Sequence, residues 1–135
     1  MTQENSQANS QALLVTDQLQ VLYGKVEALQ ATNIRVERGQ IVTVIGPNGA
    51  GKSTMLNGIA GALPASGSQR GQVLFDGQDL RGISIEKRVA MGMSLVPEKR
   101  ELFASMKVDD NLLLGSYRRY QAGEKNYAVQ LKEVF

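Results

Sequence analysis

The stretch Ile41-Val42-Thr43-Val44-Ile45-Gly46-Pro47-Asn48-Gly49-Ala50-Gly51-Lys52-Ser53-Thr54 joins an apolar run to a glycine-rich loop. Residues 41–45 read as a buried core strand, since an unbroken apolar and β-branched run suits a strand covered on both faces. Residues 46–53 fit the pattern G-x-x-x-x-G-K-[ST]. Residues 53–60 then read as a helix that stops at Gly61, with Pro64 just beyond. Strand, loop and helix in this order are the setting in which the pattern cradles phosphate.

Each position has a physical role in that reading. A cluster of phosphate oxygens needs many donors, and small residues let the backbone wrap it without a β-carbon in the way. The N–H groups of residues 49–54 would converge on the oxygens as an anion nest, reinforced by the positive end of the helix. Gly46, Pro47, Asn48, Gly49, Ala50 and Gly51 shape the loop. Lys52 would place a full charge between the β- and γ-phosphates. The Ser53 hydroxyl is the expected Mg²⁺ ligand, with water completing the octahedron. Thr54 would donate to the α-phosphate.

Composition removes several other chemistries. The chain has 135 residues, enough for one domain, with 15 Lys and Arg against 13 Asp and Glu. That small basic excess gives no case for a nucleic-acid partner. The paired cations Lys87-Arg88, Lys99-Arg100 and Arg118-Arg119 read as solvated faces. Histidine and cysteine are both absent, which removes Ser-His-Asp and Cys-His catalysis and histidine metal sites. A cysteine-free chain fits a reducing compartment. Aromatics make up only 5%, too few for a single-strand stacking platform. Residues 1–11 are rich in Gln, Asn and Ser, lack a secretory pattern, and are expected to form a disordered tail. No apolar run is long enough to span a bilayer.

Around the loop, residues 13–22 and 28–36 read as strands, the second as an edge or hairpin partner, with turns at Gly24 and Arg38-Gly39. Residues 64–71 look like a loop, and 72–75 like a strand closed by Asp76-Gly77. Residues 85–91 suggest a short helix and 93–96 a short strand ended by Pro97. Residues 108–117 suggest a helix with Asp109 and Asp110 in its favoured first turn. In 126–135 the apolar residues Tyr127, Leu131, Val134 and Phe135 fall on one helical stripe.

The loop filling Pro47-Asn48-Gly49-Ala50 resembles that of the ATP-binding subunits of ABC transporters, and the surroundings agree. Tyr23-Gly24 matches the family's early-strand aromatic, whose ring stacks on adenine, and Val26 matches the apolar contact beside it. Glu37-Arg38-Gly39-Gln40 resembles the turn before the phosphate-loop strand, and Asp76-Gly77-Gln78-Asp79-Leu80 the turn after the next one. Glu98 stands where most members have the glutamine of the Q-loop, which reads the γ-phosphate and Mg²⁺. The segment Val96-Pro97-Glu98-Lys99-Arg100-Glu101-Leu102-Phe103, with Met106 to Gly115 after it, resembles the branched-chain amino-acid importer branch, in particular its second ATP-binding subunit. A carboxylate only accepts hydrogen bonds, so Glu98 suits a metal-bound water. Lys99 replaces a common Gly. Lys107 replaces the usual Thr helix cap, a loss of about 1 kcal/mol unless Ser105 takes its place.

The resemblance covers the chain from residue 12 onward. It implies an α/β fold: a partial P-loop nucleotide-binding domain of the ABC type. An antiparallel β-subdomain comes first, and the helical subdomain starts near residue 106. It implies ATP and Mg²⁺ as cofactors, with Lys52 and Glu98 as catalytic residues and Ser53 and Glu98 at the metal. The partners implied are transmembrane permease subunits, a second ATP-binding subunit in a head-to-tail dimer and, indirectly, an external solute-binding protein. The location implied is the cytoplasmic face of a bacterial inner membrane, reached through the permease. The family's later parts are absent: the LSGGQ-type signature, the Asp-Glu strand, the D-loop and the switch histidine. A chain with half of the site would hold ATP without hydrolysing it and would expose an apolar edge. A nucleotide-binding remnant is therefore the alternative reading. A GTPase is a third, through Asp79-Leu80-Arg81-Gly82, although no NKxD motif accompanies it.

Overall fold

The computed structural model of the chain describes residues 12–99 and 101–124. They fall into two compact units, divided between Val96 and Pro97. The expected tail at 1–11 and the stripe at 126–135 lie outside the described residues.

The first unit carries four strands: β1 (Leu14–Tyr23), β2 (Val26–Val36), β3 (Gly67–Phe75) and β4 (Gln78–Asp79). They form one antiparallel sheet in the order β2-β1-β3-β4. Its two helices are α1 (Lys52–Ala60) and α2 (Ile85–Ala90). Leu19, Val21, Leu29, Met55, Ile59, Val73 and Leu80 make the core. The phosphate-loop helix thus supplies two of the residues that cover the sheet. β3 turns into β4 through Asp76 and Gly77, both at positive φ (49° and 77°), the conformation whose twist suits a two-residue hairpin.

A bulge sets which face of β1 is buried. Asp17 pairs with Gln72 and Gln20 with Arg70, so Gln18 and Leu19 stand opposite Gly71 alone. Strand side chains alternate, so Thr16 and Leu19 would face opposite ways in a regular strand. With the extra residue both turn inward, and Leu19 and Val21 are fully buried. Gln18 and Gly71 take positive φ there (49° and 81°). The buried Thr16 hydroxyl donates to Thr32 O (3.1 Å) and accepts the Ile34 N–H (2.8 Å). Asn33 Oδ1 accepts the Gln18 N–H at 2.6 Å. Side chains thus serve backbone groups where the β1–β2 ladder is interrupted.

Three sequence expectations change. Residues 64–71 read as a loop, yet 67–70 pair with residues 20–23 as the first half of β3; main-chain pairing needs no apolar side chains. Residues 41–45 join no ladder, and Ile41 and Ile45 are 94% and 89% exposed. Residues 93–96 likewise form no strand, with Val96 88% exposed. Strand propensity describes fit to a pleated surface, but a strand exists only through a partner. Among the described residues neither run has one. Residues 41–45 are thus an exposed apolar run and not the sheet edge expected of a partial domain.

In the second unit, the helix expected at 108–117 is two: α3 (Val108–Gly115) and α4 (Tyr117–Gln121). The break is at Ser116, whose N–H and hydroxyl both donate to Leu113 O (3.0 and 2.7 Å). Asp109 and Asp110 occupy the first turn of α3 as expected, and Lys107 makes no side-chain cap. Asn111 fixes the entry instead. Its Oδ1 accepts the Phe103 N–H (3.0 Å), and its Nδ2 donates to Phe103 O (3.1 Å) and Lys107 O (3.0 Å). Met106, Leu113, Leu114, Tyr117 and Tyr120 line a groove along α3 and α4.

A β-carbon at Gly71 would lie 2.2 Å from Gln18 O. Gly71→Ala is expected to lower the unfolding free energy by about 2–3 kcal/mol in denaturant titration. A change below about 0.5 kcal/mol, the ordinary surface range, would contradict this account of the bulge.

Candidate functional site

The loop from Gly46 to Thr54 enters α1 through two left-handed glycines, Gly49 (φ 87°) and Gly51 (φ 84°). The Ala50 N–H donates to Pro47 O at 3.2 Å, closing a turn inside the loop. Gly51 does more than turn the chain. A β-carbon there would stand 2.8 Å from Ala28 O and 3.1 Å from Leu29 Cδ1. The start of α1 is thus seated directly on the β2 backbone, in contact only a glycine permits.

Lys52 folds back over the loop. Its ammonium donates to Gly46 O and Pro47 O, each at 2.8 Å. An ammonium has three donors, so this posture leaves capacity for an anion while the cation bridges the mouth of the loop. Helical geometry aims the first-turn N–H groups out of the N-terminal end, and no acidic side chain occupies that turn. Ser53 is exposed and Thr54 half-buried. These features suit a phosphate chain: flexible glycines, a helix end, a lysine and no competing carboxylate. Among the described residues no group of three or more acidic, His or Cys side chains could hold a metal. A Mg²⁺ ion held by phosphate oxygens, the Ser53 hydroxyl and water needs no such group.

Tyr23 and Val26 are brought together as the closing pair of the β1–β2 hairpin. Val26 is 68% exposed. Tyr23 is half-buried, with its Cε1 about 3.3 Å from where a Gly67 β-carbon would sit. Ala28, which receives the loop, lies two residues from Val26, about 7 Å along the strand. Glu98 is exposed and belongs to the second unit. Asp79, the acidic member of the D-x-x-G pattern, serves its own turn. Hydrogen bonds from Gln72 Nε2 (2.9 Å) and then from the Arg81 N–H (2.9 Å) hold its carboxyl below the ordinary carboxylate range.

One functional candidate escaped the sequence. Arg88, read as part of a solvated pair, is 6% exposed. Its guanidinium donates to Ile83 O (3.0 Å), Gly58 O (3.3 Å), Ile59 O (2.7 Å) and Leu80 O (2.9 Å). Burial lowers its pKa, yet four carbonyls around one cation keep the charged form well solvated by the protein. Nothing local in the sequence signals this; in the structure α2 buries Arg88 and leaves Ile85 and Val89 40% and 39% exposed, the reverse of an ordinary amphipathic helix.

A loop of the pattern G-x-x-x-x-G-K-[ST] running into a helix beside an antiparallel sheet is the arrangement of the P-loop class. Residues 29–134 match the ABC transporter family, and the chain belongs to it. The high-affinity branched-chain amino acid transport ATP-binding protein BraG of Pseudomonas aeruginosa is 34% identical over 122 residues, 90% of this chain and 50% of that protein. An uncharacterized ABC transporter ATP-binding protein of Methanocaldococcus jannaschii is 35% identical, covering 90% of this chain and 48% of its own. A xylose import ATP-binding protein of Photobacterium profundum is 34% identical over 70% of this chain and 18% of its own length. In fold, the chain resembles a crystal structure of a nucleotide-free ATP-binding cassette from an ABC transporter. Its TM-score is 0.67 and its identity 32%, over 77% of this chain and 40% of that one. The chain therefore spans about half the length of the curated relatives it matches first. No helix among the described residues is long and apolar enough to cross a membrane.

The two left-handed glycines separate strain from contact. Gly49 has nothing within 4 Å of a built β-carbon, whereas Gly51 meets Ala28 O. Gly49→Ala should cost about 1 kcal/mol, the strain alone, and Gly51→Ala about 2–3 kcal/mol. Equal losses in thermal unfolding would contradict the seating of the loop on β2.

Proposed function

We propose that this chain is the ATP-binding part of an ABC importer, with Mg-ATP held by residues 46–54. The observation that carries the reading is the loop itself: left-handed Gly49 and Gly51, the helix start, and Lys52 across the mouth. Lys52 would leave its two carbonyls for the β- and γ-phosphates, and Ser53 would take the metal. When bound, Mg²⁺ supplies neutralisation of the clustered phosphate charge. Tyr23 and Val26, at the hairpin end near the loop's seat, would take the adenine. Glu98 would act on metal-bound water.

The likeness to BraG supports branched-chain amino acids as the solute. The likeness to a xylose importer subunit supports only the wider importer class. Permease subunits, a second ATP-binding subunit and, through them, a solute-binding protein are the partners this function needs. It places the chain at the cytoplasmic face of the membrane, attached through the permease. The apolar groove of the second unit is a surface of the kind a permease would cover.

A second reading, ATP binding without hydrolysis, concerns these 135 residues taken by themselves, which hold no histidine and no LSGGQ-type signature. Phosphoryl transfer depends on positioning and charge neutralisation from all sides, and residues 46–54 would supply one of them. Isothermal titration is expected to show ATP binding by the wild-type chain, weakened at least about tenfold by Lys52→Ala, the loss of one charge-assisted contact. Tyr23→Ala should weaken it about three- to tenfold, the worth of one stacked base. Equal binding by wild type and Lys52→Ala would overturn the site. Phosphate release from Mg-ATP should stay at background, and release that Lys52→Ala abolishes would overturn the binding-only reading.

A further inference from the structure

We propose that Arg88 is a positioning residue for the phosphate loop, acting through α1; the inference rests on the reading of that loop as an ATP site. The loop borrows its helix N-terminus from α1, a nine-residue helix about 13 Å long. The contact of Gly51 with Ala28 fixes where this helix begins. Where it points depends on its other end, and there Arg88 is the anchor.

That end is built around the guanidinium. The chain leaves α1 through left-handed Gly61 (φ 75°), with the Gly61 N–H donating to Gly58 O (3.2 Å) and the Ala62 N–H to Asn57 O (2.8 Å). This is the usual way of closing a helix on glycine. A β-carbon at Gly61 would stand 3.0 Å from Arg88 Cζ and Nε, so the same glycine makes room for the cation. Nη1 takes the carbonyls of Gly58 and Ile59, the negative end of the helix, where a cation is favoured. Nη2 and Nε take Leu80 O and Ile83 O, in the connection between β4 and α2. One rigid fork thereby ties the last turn of α1 to a separate segment of the chain. A lysine presents a point charge and cannot span the four acceptors.

A swing of the free end by about 2 Å would tilt a helix of this length by roughly 10°, turning the loop's N–H groups with it. Such misaim costs binding while leaving the sheet intact. Arg88 touches no nucleotide in this account, so its effect is indirect.

The test uses the whole 135-residue chain and two readouts. In ATP titrations, Arg88→Lys is expected to raise Kd about tenfold, the equivalent of one charge-assisted hydrogen bond misaligned. Arg88→Ala should do the same, with partial recovery in millimolar guanidinium. In hydrogen exchange without nucleotide, amides 49–55 should exchange faster in both variants while those of β1 and β3 keep wild-type rates. A folded Arg88→Lys that binds ATP within about twofold of wild type overturns the proposal. So does unfolding of both variants, or exchange that rises equally in the loop, β1 and β3, since Arg88 would then serve general stability. Failure of the wild type to bind ATP overturns the ATP reading instead, and the exchange arm still reports on Arg88.

Discussion

The loop, the helix and the sheet meet where Gly51 lies against the Ala28 carbonyl, so closely that a β-carbon on Gly51 would stand 2.8 Å from Ala28 O. A glycine-rich loop has little stiffness of its own. Here it borrows rigidity from β2, itself held in register by β1. The seat also orients Met55 and Ile59 into the core beside Leu19 and Val21. Burying such side chains stabilises by about 1.5–3 kcal/mol each, so folding the sheet and shaping the loop are one event.

Two further devices serve that seat. The bulge at Gln18 and Gly71 re-phases β1 so that Leu19 and Val21 are buried beside α1 while Thr16, before the bulge, is buried as well. Without the extra residue, Leu19 and Val21 would lie on the face opposite Thr16. Arg88 holds the opposite end of α1 with a buried cation on four carbonyls. Both devices place polar or strained backbone in the interior, and both are satisfied by partners there. Lys52 adds a third internal link by bridging Gly46 O and Pro47 O. In the proposed ATP reading, a phosphate would draw the same lysine away from these carbonyls and so couple loop closure to ligand.

Local pattern carried the glycine turns of residues 46–54, α1 with its Gly61 stop, the β1–β2 hairpin and the Asp76-Gly77 turn. Each depends on residues close in sequence: a glycine that turns, a run that alternates, a cap. Features that need a distant partner were not legible. The run 41–45 has strand chemistry but no ladder among the described residues. Residues 67–70 have loop chemistry but pair with β1. Arg88 looked solvated beside Lys87, because nothing nearby reveals that Gly58, Ile59 and Leu80 turn their carbonyls toward it. The helix break at Ser116 was equally hidden, since it arises from hydrogen bonds back to Leu113. Family resemblance supplied what local pattern lacked for the loop, and the match over residues 29–134 agrees with it.

The central claim is that ATP is held by the seated loop. An amide-resolved NMR titration of the 135-residue chain with Mg-ATP addresses it most directly. Saturating shifts centred on residues 46–55, with smaller ones at Tyr23 and Val26, are the result this account predicts. An unchanged loop, or saturating shifts confined to other surfaces, would contradict it.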